Sequence, residues 1–175
     1  MKGKSYRLAA SVQIFFMYSI VGWIYETVLE VMIYRTGFSN RGFLFGPYLP
    51  VYGVGALLFL VMLYPIEKEK KFGKLTPLSI FVGSMIIATL VELLTSYGLS
   101  HFGVELWNYD NYSFNFQGRI ALNPSVRFGI GGVIFLYGLQ PLFDKLIEKQ
   151  SEKTIKSIAL IIAFVLLTDF IFKMI

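Results

Sequence analysis

Five apolar blocks, separated by polar stretches, make up most of the chain: residues 8–34, 48–64, 78–97, 124–142 and 155–175. A helix rises about 1.5 Å per residue, so about 20 apolar residues cross the ~30 Å hydrocarbon core of a bilayer. The first block is long enough to cross with some tilt. The second is short, and Pro47, Pro50, Gly53 and Gly55 crowd its start, which predicts an irregular entry. Irregular backbone at membrane depth is tolerated only where protein buries it or a wet cavity adjoins it. The pattern predicts an all-α integral membrane protein, a single transmembrane domain over residues 1–175 built as a bundle of five transmembrane helices.

Polar positions inside the blocks show which faces avoid lipid. Glu26 and Glu30 are four residues apart, so they share a helix face with Ser19, Gly22 and Trp23. In the third block Ser84, Ala88, Glu92, Thr95 and Ser96 form a face of small and hydroxylated residues suited to close helix contact. The fourth block opens on Asn123-Pro124, which predicts an N-cap followed by proline at the first helical position. It continues through Gly129, Gly131, Gly132 and Gly138. The last block holds Asp169 with Lys173 four residues on, read as a snorkelling pair near a helix end. Between the third and fourth blocks, residues 98–123 carry Phe102, Trp107, Tyr109, Tyr112, Phe114 and Phe116. A connection this long is uncommon without structure of its own, so a folded aromatic cover, a hairpin or a short interfacial helix, is expected there.

Composition narrows the chemistry. Hydrophobic residues make up 55% of the chain and charged residues 15%, against about 25% charged in soluble domains. The chain has no cysteine, which excludes disulfides, thiolate metal sites and cysteine nucleophiles. The single histidine, His101, argues against a histidine metal site or a Ser-His triad. No cofactor is expected.

Charge sets orientation. Of 16 lysines and arginines, eleven fall on one side: Lys2, Lys4 and Arg7, then Lys68, Lys70, Lys71 and Lys74, then Lys145, Lys149, Lys153 and Lys156. The other side holds Arg35, Arg41, Arg119, Arg127 and Lys173. The positive-inside rule then predicts a cytoplasmic N-terminus, an outer C-terminus and an aromatic loop on the outer face of a bacterial inner membrane. The net charge of +5 thus reports topology, and the partner it implies is the lipid bilayer, with no nucleic acid. The first block is too long for a signal peptide and lacks a small-residue cleavage site.

With this topology Glu26, Glu30, Glu92 and Asp169 lie in the outer half of the membrane, near the level of Arg41, Arg119 and Arg127. A charge at mid-membrane costs at least ~2.5 kcal/mol, so these groups need partners. They could form an ion-pair network that only fixes helix register. They could also line a polar chamber near the outer face. Arg127, placed at a helix start where the macrodipole disfavours a cation, points toward an anion site. The glycines from Gly129 to Gly132 lack the lysine and strand context of a nucleotide loop.

The sequence Asn40-Arg41-Gly42-Phe43-Leu44, with Gly46-Pro47, Pro50 and Tyr52-Gly53, follows Gly22-Trp23 and Glu26. Further on come Leu106-Trp107, Tyr109, Asn115, Gly118-Arg119-Ile120, Leu122, Ser125 and Gly129. Together, over most of the first 130 residues, these resemble the bacterial family of putative ABC-transporter type IV proteins (putative ABC transporter permease). Asn108 stands where the family pattern has aspartate, with Asp110 close by, and Phe128 where it has tryptophan. The resemblance implies a small transport component completed by a separate ATPase subunit or a homo-oligomer.

The candidate substrate-binding residues are Glu26, Glu30, Asn40, Arg41, Tyr52, Glu92, Trp107, Asn115, Arg119 and Arg127. In the first reading Arg41, Arg119 and Arg127 contact a small anionic solute or a lipid headgroup, while Glu26, Glu30 and Glu92 position them or exchange protons. Two other readings stay open. One is a membrane-embedded enzyme acting on a lipid or isoprenoid phosphate, with Glu26, Glu92 or Asp110 as general base. The other is a non-transporting assembly or accessory protein.

Overall fold

The computed structural model describes residues 3–175; Met1 and Lys2, the latter counted above with the basic N-terminus, lie outside the described residues. The fold is all-α apart from one two-stranded hairpin. Four helical stretches are long and apolar enough to cross a membrane: Lys4–Tyr34, Gly73–His101, Leu122–Glu148 and Glu152–Met174. A fifth, Pro50–Met62, is apolar but shorter. All five coincide with the apolar blocks, and the boundaries differ where lysines and glutamates, good helix formers, prolong a helix past its apolar part. The expected polar loop after the fourth block is helical up to Glu148, and the next helix starts at Glu152.

The chain divides into two compact units, Met1–Ala56 with Asp144–Ile175, and Leu57–Phe143. In the first unit, α1 (Lys4–Val28) continues as a π-helical segment, Leu29–Tyr34, which ends at Arg35 in the left-handed region (φ 54°). Between this end and α2 (Pro50–Met62) the backbone is irregular, as the prolines and glycines predict.

Helix α3 (Tyr64–Lys68) and α4 (Thr76–His101) lie in the second unit, as does α5 (Leu122–Ile134). A π-helical segment, Phe135–Leu139, leads from α5 into α6 (Gln140–Glu148), and α7 (Glu152–Met174) closes the chain in the first unit.

In the first unit α1 packs along α7. Tyr6, Ala9 and Gln13 are buried on α1 at helical spacing, and Ile155, Ala159 and Ile162 on α7. The Gln13 amide fixes the register: it donates to Gln150 Oε1 (3.0 Å) and the Ile155 carbonyl (3.1 Å), and accepts from Gln150 Nε2 (2.9 Å). Ser151 caps α7 by accepting the Thr154 amide at 3.1 Å. The start of α2 meets α1 through glycines. A Cβ on Gly53 would stand 2.5 Å from Ser19 Oγ, and one on Gly22 would overlap the Tyr52 ring.

In the second unit α4 and α5 form the main contact. The small residues expected on both helices make it. Gly129 lies under Phe81, where a Cβ would be 2.7 Å from the ring, and Gly132 lies against Ser84. Thr89 donates to Ser125 Oγ at 2.7 Å. Phe59 and Phe135 add an edge-to-face pair at 5.5 Å.

Helix α5 begins at Leu122, with Ala121 as N-cap and no side-chain cap. The expected Asn123 cap is therefore corrected: Asn123 and Pro124 both lie in the first turn, which tolerates proline. The long aromatic connection contains β1 (Asn115–Phe116) paired antiparallel with β2 (Ile120–Ala121). Gln117 and Gly118, at φ 53° and 64°, carry the sign pattern of a type I′ turn, closed by Arg119 N donating to Phe116 O at 3.0 Å.

Candidate functional site

The ten candidate residues divide equally between the units, and each unit gives its five a different setting. In the first unit they hold the irregular segment between the π-helical end of α1 and the start of α2. The π turn leaves Glu30 only 6% exposed; its carboxylate accepts from Ser39 Oγ (2.7 Å) and from the Ser39 amide (3.3 Å), and it forms an ion pair with Arg41, whose Nε is 3.0 Å away. Trp23 Nε1 donates to Asn40 Oδ1 at 2.8 Å, and Asn40 Nδ2 donates to the Phe45 carbonyl at 2.7 Å. Glu26 does not join the Arg41 pair; its carboxylate accepts from the Tyr52 hydroxyl.

The same segment is held from α7. Asp169 accepts from the amides of Phe45 (3.0 Å) and Gly46 (2.9 Å) and from the Tyr48 hydroxyl. Lys173, four residues on from Asp169, also reaches over the rings of Phe45 (4.6 Å) and Phe43 (5.7 Å). Asp169 was absent from the candidate set. The signal was present in the sequence, since an acid inside an apolar helix needs a partner, and Pro47, which has no N–H, leaves fewer local donors to satisfy.

In the second unit the aromatic connection folds over the C-terminal end of α4. Arg119 leaves the hairpin turn and donates from one terminal nitrogen to Ser96 Oγ (2.9 Å) and Ser100 Oγ (2.7 Å). Its guanidinium carbon stands 4.3 Å over the Tyr97 ring, whose hydroxyl donates to Gln117 at 2.7 Å. Ser96 and Ser100, four apart, could be read from sequence as one face. Tyr97 could not be recognised as a cation platform without the fold.

Trp107 Nε1 donates to the Arg119 carbonyl at 2.9 Å. Asn115 spends both ends of its amide on the loop backbone. It donates to the carbonyls of Tyr112 (2.9 Å) and Asp110 (3.3 Å) and accepts the Gly118 amide (3.1 Å). Buried Glu92 accepts from the Tyr109 hydroxyl at 2.8 Å.

Two hollows adjoin these residues. A small one of about 50 Å³ is lined by Ser96, Leu106, Trp107, Asn108 and Arg119, with Glu105 also on its wall. Among the described residues no carboxylate forms an ion pair with Arg119. A wider groove of about 500 Å³ runs beside the start of α5, where Arg127 lies in the second turn rather than the expected first. Among the described residues no three His, Cys, Asp or Glu side chains gather as a metal site.

The geometry therefore offers backbone clamps in the first unit and an arginine facing a hollow in the second. No curated protein and no solved structure matches the chain. The motifs from Trp23 to Gly53 and from Leu106 to Gly129 nonetheless lie within one family pattern. The four membrane-length helices fit the same identification: the chain belongs to the putative ABC-transporter type IV family, whose model matches residues 13–174.

Proposed function

We propose that this membrane component of a transporter family binds a small anionic solute at Arg119, on the outer side of a bacterial inner membrane. The whole chain acts as one transmembrane domain with a cytoplasmic N-terminus and five spans, α2 serving as the broken one. Its 13 residues rise about 20 Å, short of the ~30 Å core, and the irregular segment before it covers the rest. A separate ATPase subunit or a homo-oligomer supplies what a chain of this size needs to move a solute.

The observation that carries the reading is the state of Arg119. Its guanidinium is oriented by two hydroxyls and an aromatic face, borders a hollow, and has no carboxylate partner among the described residues. Neutral hydroxyls position the planar fork without cancelling its charge, which leaves it able to receive a carboxylate or phosphate. Trp107 and Asn108, on the wall of the same hollow, supply a flat face and an amide.

The test is a thermal-shift screen of small anions on the purified protein, because a ligand specific to the folded state stabilises it by mass action. An anion that raises Tm in wild type and not in Arg119→Gln supports the reading. Equal shifts in both proteins, or no shift from any anion, overturn it.

A further inference from the structure

The groove beside α5 belongs to a different chemistry from the Arg119 hollow and shares no lining residue with it. Asn111, Tyr112, Ser113 and Asn123 give its wall hydroxyls and amides, Arg127 gives a positive charge, and Phe114, Leu122 and Val126 give apolar surface. No acid lines it. Phe114 is 83% exposed and Leu122 49% exposed, so the apolar part is a free rim rather than part of the core. Leu122 is also the first residue of a membrane-length helix, Leu122–Glu148. The groove therefore opens where an apolar span begins, at the depth of lipid headgroups.

We propose that this groove holds the headgroup of an anionic phospholipid, with its phosphate against Arg127 and its first acyl carbons along Phe114 and Leu122. The lining distinguishes a lipid from a free anion. A free phosphate gains nothing from an exposed phenylalanine and leucine beside the charge, whereas a lipid uses both. The volume of about 500 Å³ is within the usual range for a small-molecule site, about 300–1,000 Å³. Arg127 makes other contacts within the chain; with five N–H donors, a guanidinium can serve its own fold and a phosphate together. The acyl chains would follow the outside of the span, as any boundary lipid does.

The experiment is lipid retention by the full chain in detergent, read by native mass spectrometry. Phosphatidylglycerol and phosphatidylcholine of identical acyl chains are supplied in equal amounts. Wild type should retain phosphatidylglycerol about fivefold over phosphatidylcholine, the scale of one arginine near an anionic surface. Arg127→Gln should bring the ratio to about one, while Arg119→Gln should keep it, so that failure here and failure of the solute site are read separately. Phe114→Ser changes an exposed side chain and should lower total retention with the ratio kept, which preserves a test should Arg127→Gln not fold. Equal retention by wild type, an unchanged ratio in Arg127→Gln or unchanged retention in Phe114→Ser overturns the proposal. Displacement of the lipid by millimolar inorganic phosphate also overturns it, in favour of a free-anion site.

Discussion

The carboxylate of Asp169 receives the backbone amide of Gly46 at 2.9 Å across 123 residues of sequence. The segment before α2 cannot satisfy its amides by helix bonds, so they need other acceptors. Asp169 takes that place for Gly46 and Phe45 and binds the Tyr48 hydroxyl as well. Asp169→Ala leaves the donors without that acceptor, at about 1 kcal/mol for each of the part-buried Gly46 and Tyr48 bonds and less for the exposed Phe45 amide. The expected outcome is a lower Tm in detergent and faster amide exchange over residues 42–49. Asp169→Asn, which keeps one acceptor oxygen, should fall between the variant and wild type. Unchanged exchange over 42–49 in Asp169→Ala would show that the clamp does not hold the segment.

Much of the helical frame could be read from the sequence because hydrophobic runs of membrane length leave few alternatives. The five blocks and the irregular entry at Pro47 and Pro50 follow from that constraint and from the missing proline donor. Partner choice did not follow. Glu26, Glu30 and Asp169 each announce the need for a partner, but which donor arrives depends on the path of residues 36–49, which no periodicity describes. The result is Tyr52 for Glu26, Ser39 with Arg41 for Glu30, and backbone amides for Asp169. The Arg119 setting was half legible, since Ser96 and Ser100 sit at helical spacing, whereas the hairpin that brings Arg119 to them turns on Gln117 and Gly118 adopting positive φ. Helix ends were displaced for a simpler reason: Glu and Lys continue a helix as readily as they end an apolar run.

The glycines of α5 look alike in sequence and are not equivalent in the fold. A Cβ on Gly132 would overlap the Ser84 side chain and stand 3.2 Å from Phe59, while one on Gly131 meets nothing within 4 Å. Gly131→Ala should be neutral, or stabilise by up to about 1 kcal/mol through helix propensity. Gly132→Ala forces the helices apart and should cost about 1–3 kcal/mol, the range for overpacking a tight contact. Urea or heat titration of the pair in one detergent tests the contrast, and equal effects at the two positions would place the α4–α5 contact elsewhere.

Asn115 decides whether the aromatic connection is a ligand surface or the frame of one. Both ends of its amide are committed to backbone, to Tyr112 O, Asp110 O and Gly118 N. Gly118 follows directly into Arg119, and a Cβ at Gly118 would overlap the Asp110 carboxylate, so the turn is closely packed as well as hydrogen-bonded. Asn115→Ala removes three bonds worth about 1 kcal/mol each and should loosen residues 106–120, which carry much of the wall of the Arg119 hollow, without removing a side chain from that wall. Anion affinity at Arg119 should then fall about tenfold, because part of the binding energy must reorder the loop, and amide exchange over 106–120 should rise in parallel. Trp107→Phe, which loses only the bond to the Arg119 carbonyl, should show a smaller change of the same kind. A loss of affinity in Asn115→Ala with exchange unchanged would mean that Asn115 touches the solute itself, and the residue would return from the frame to the binding set.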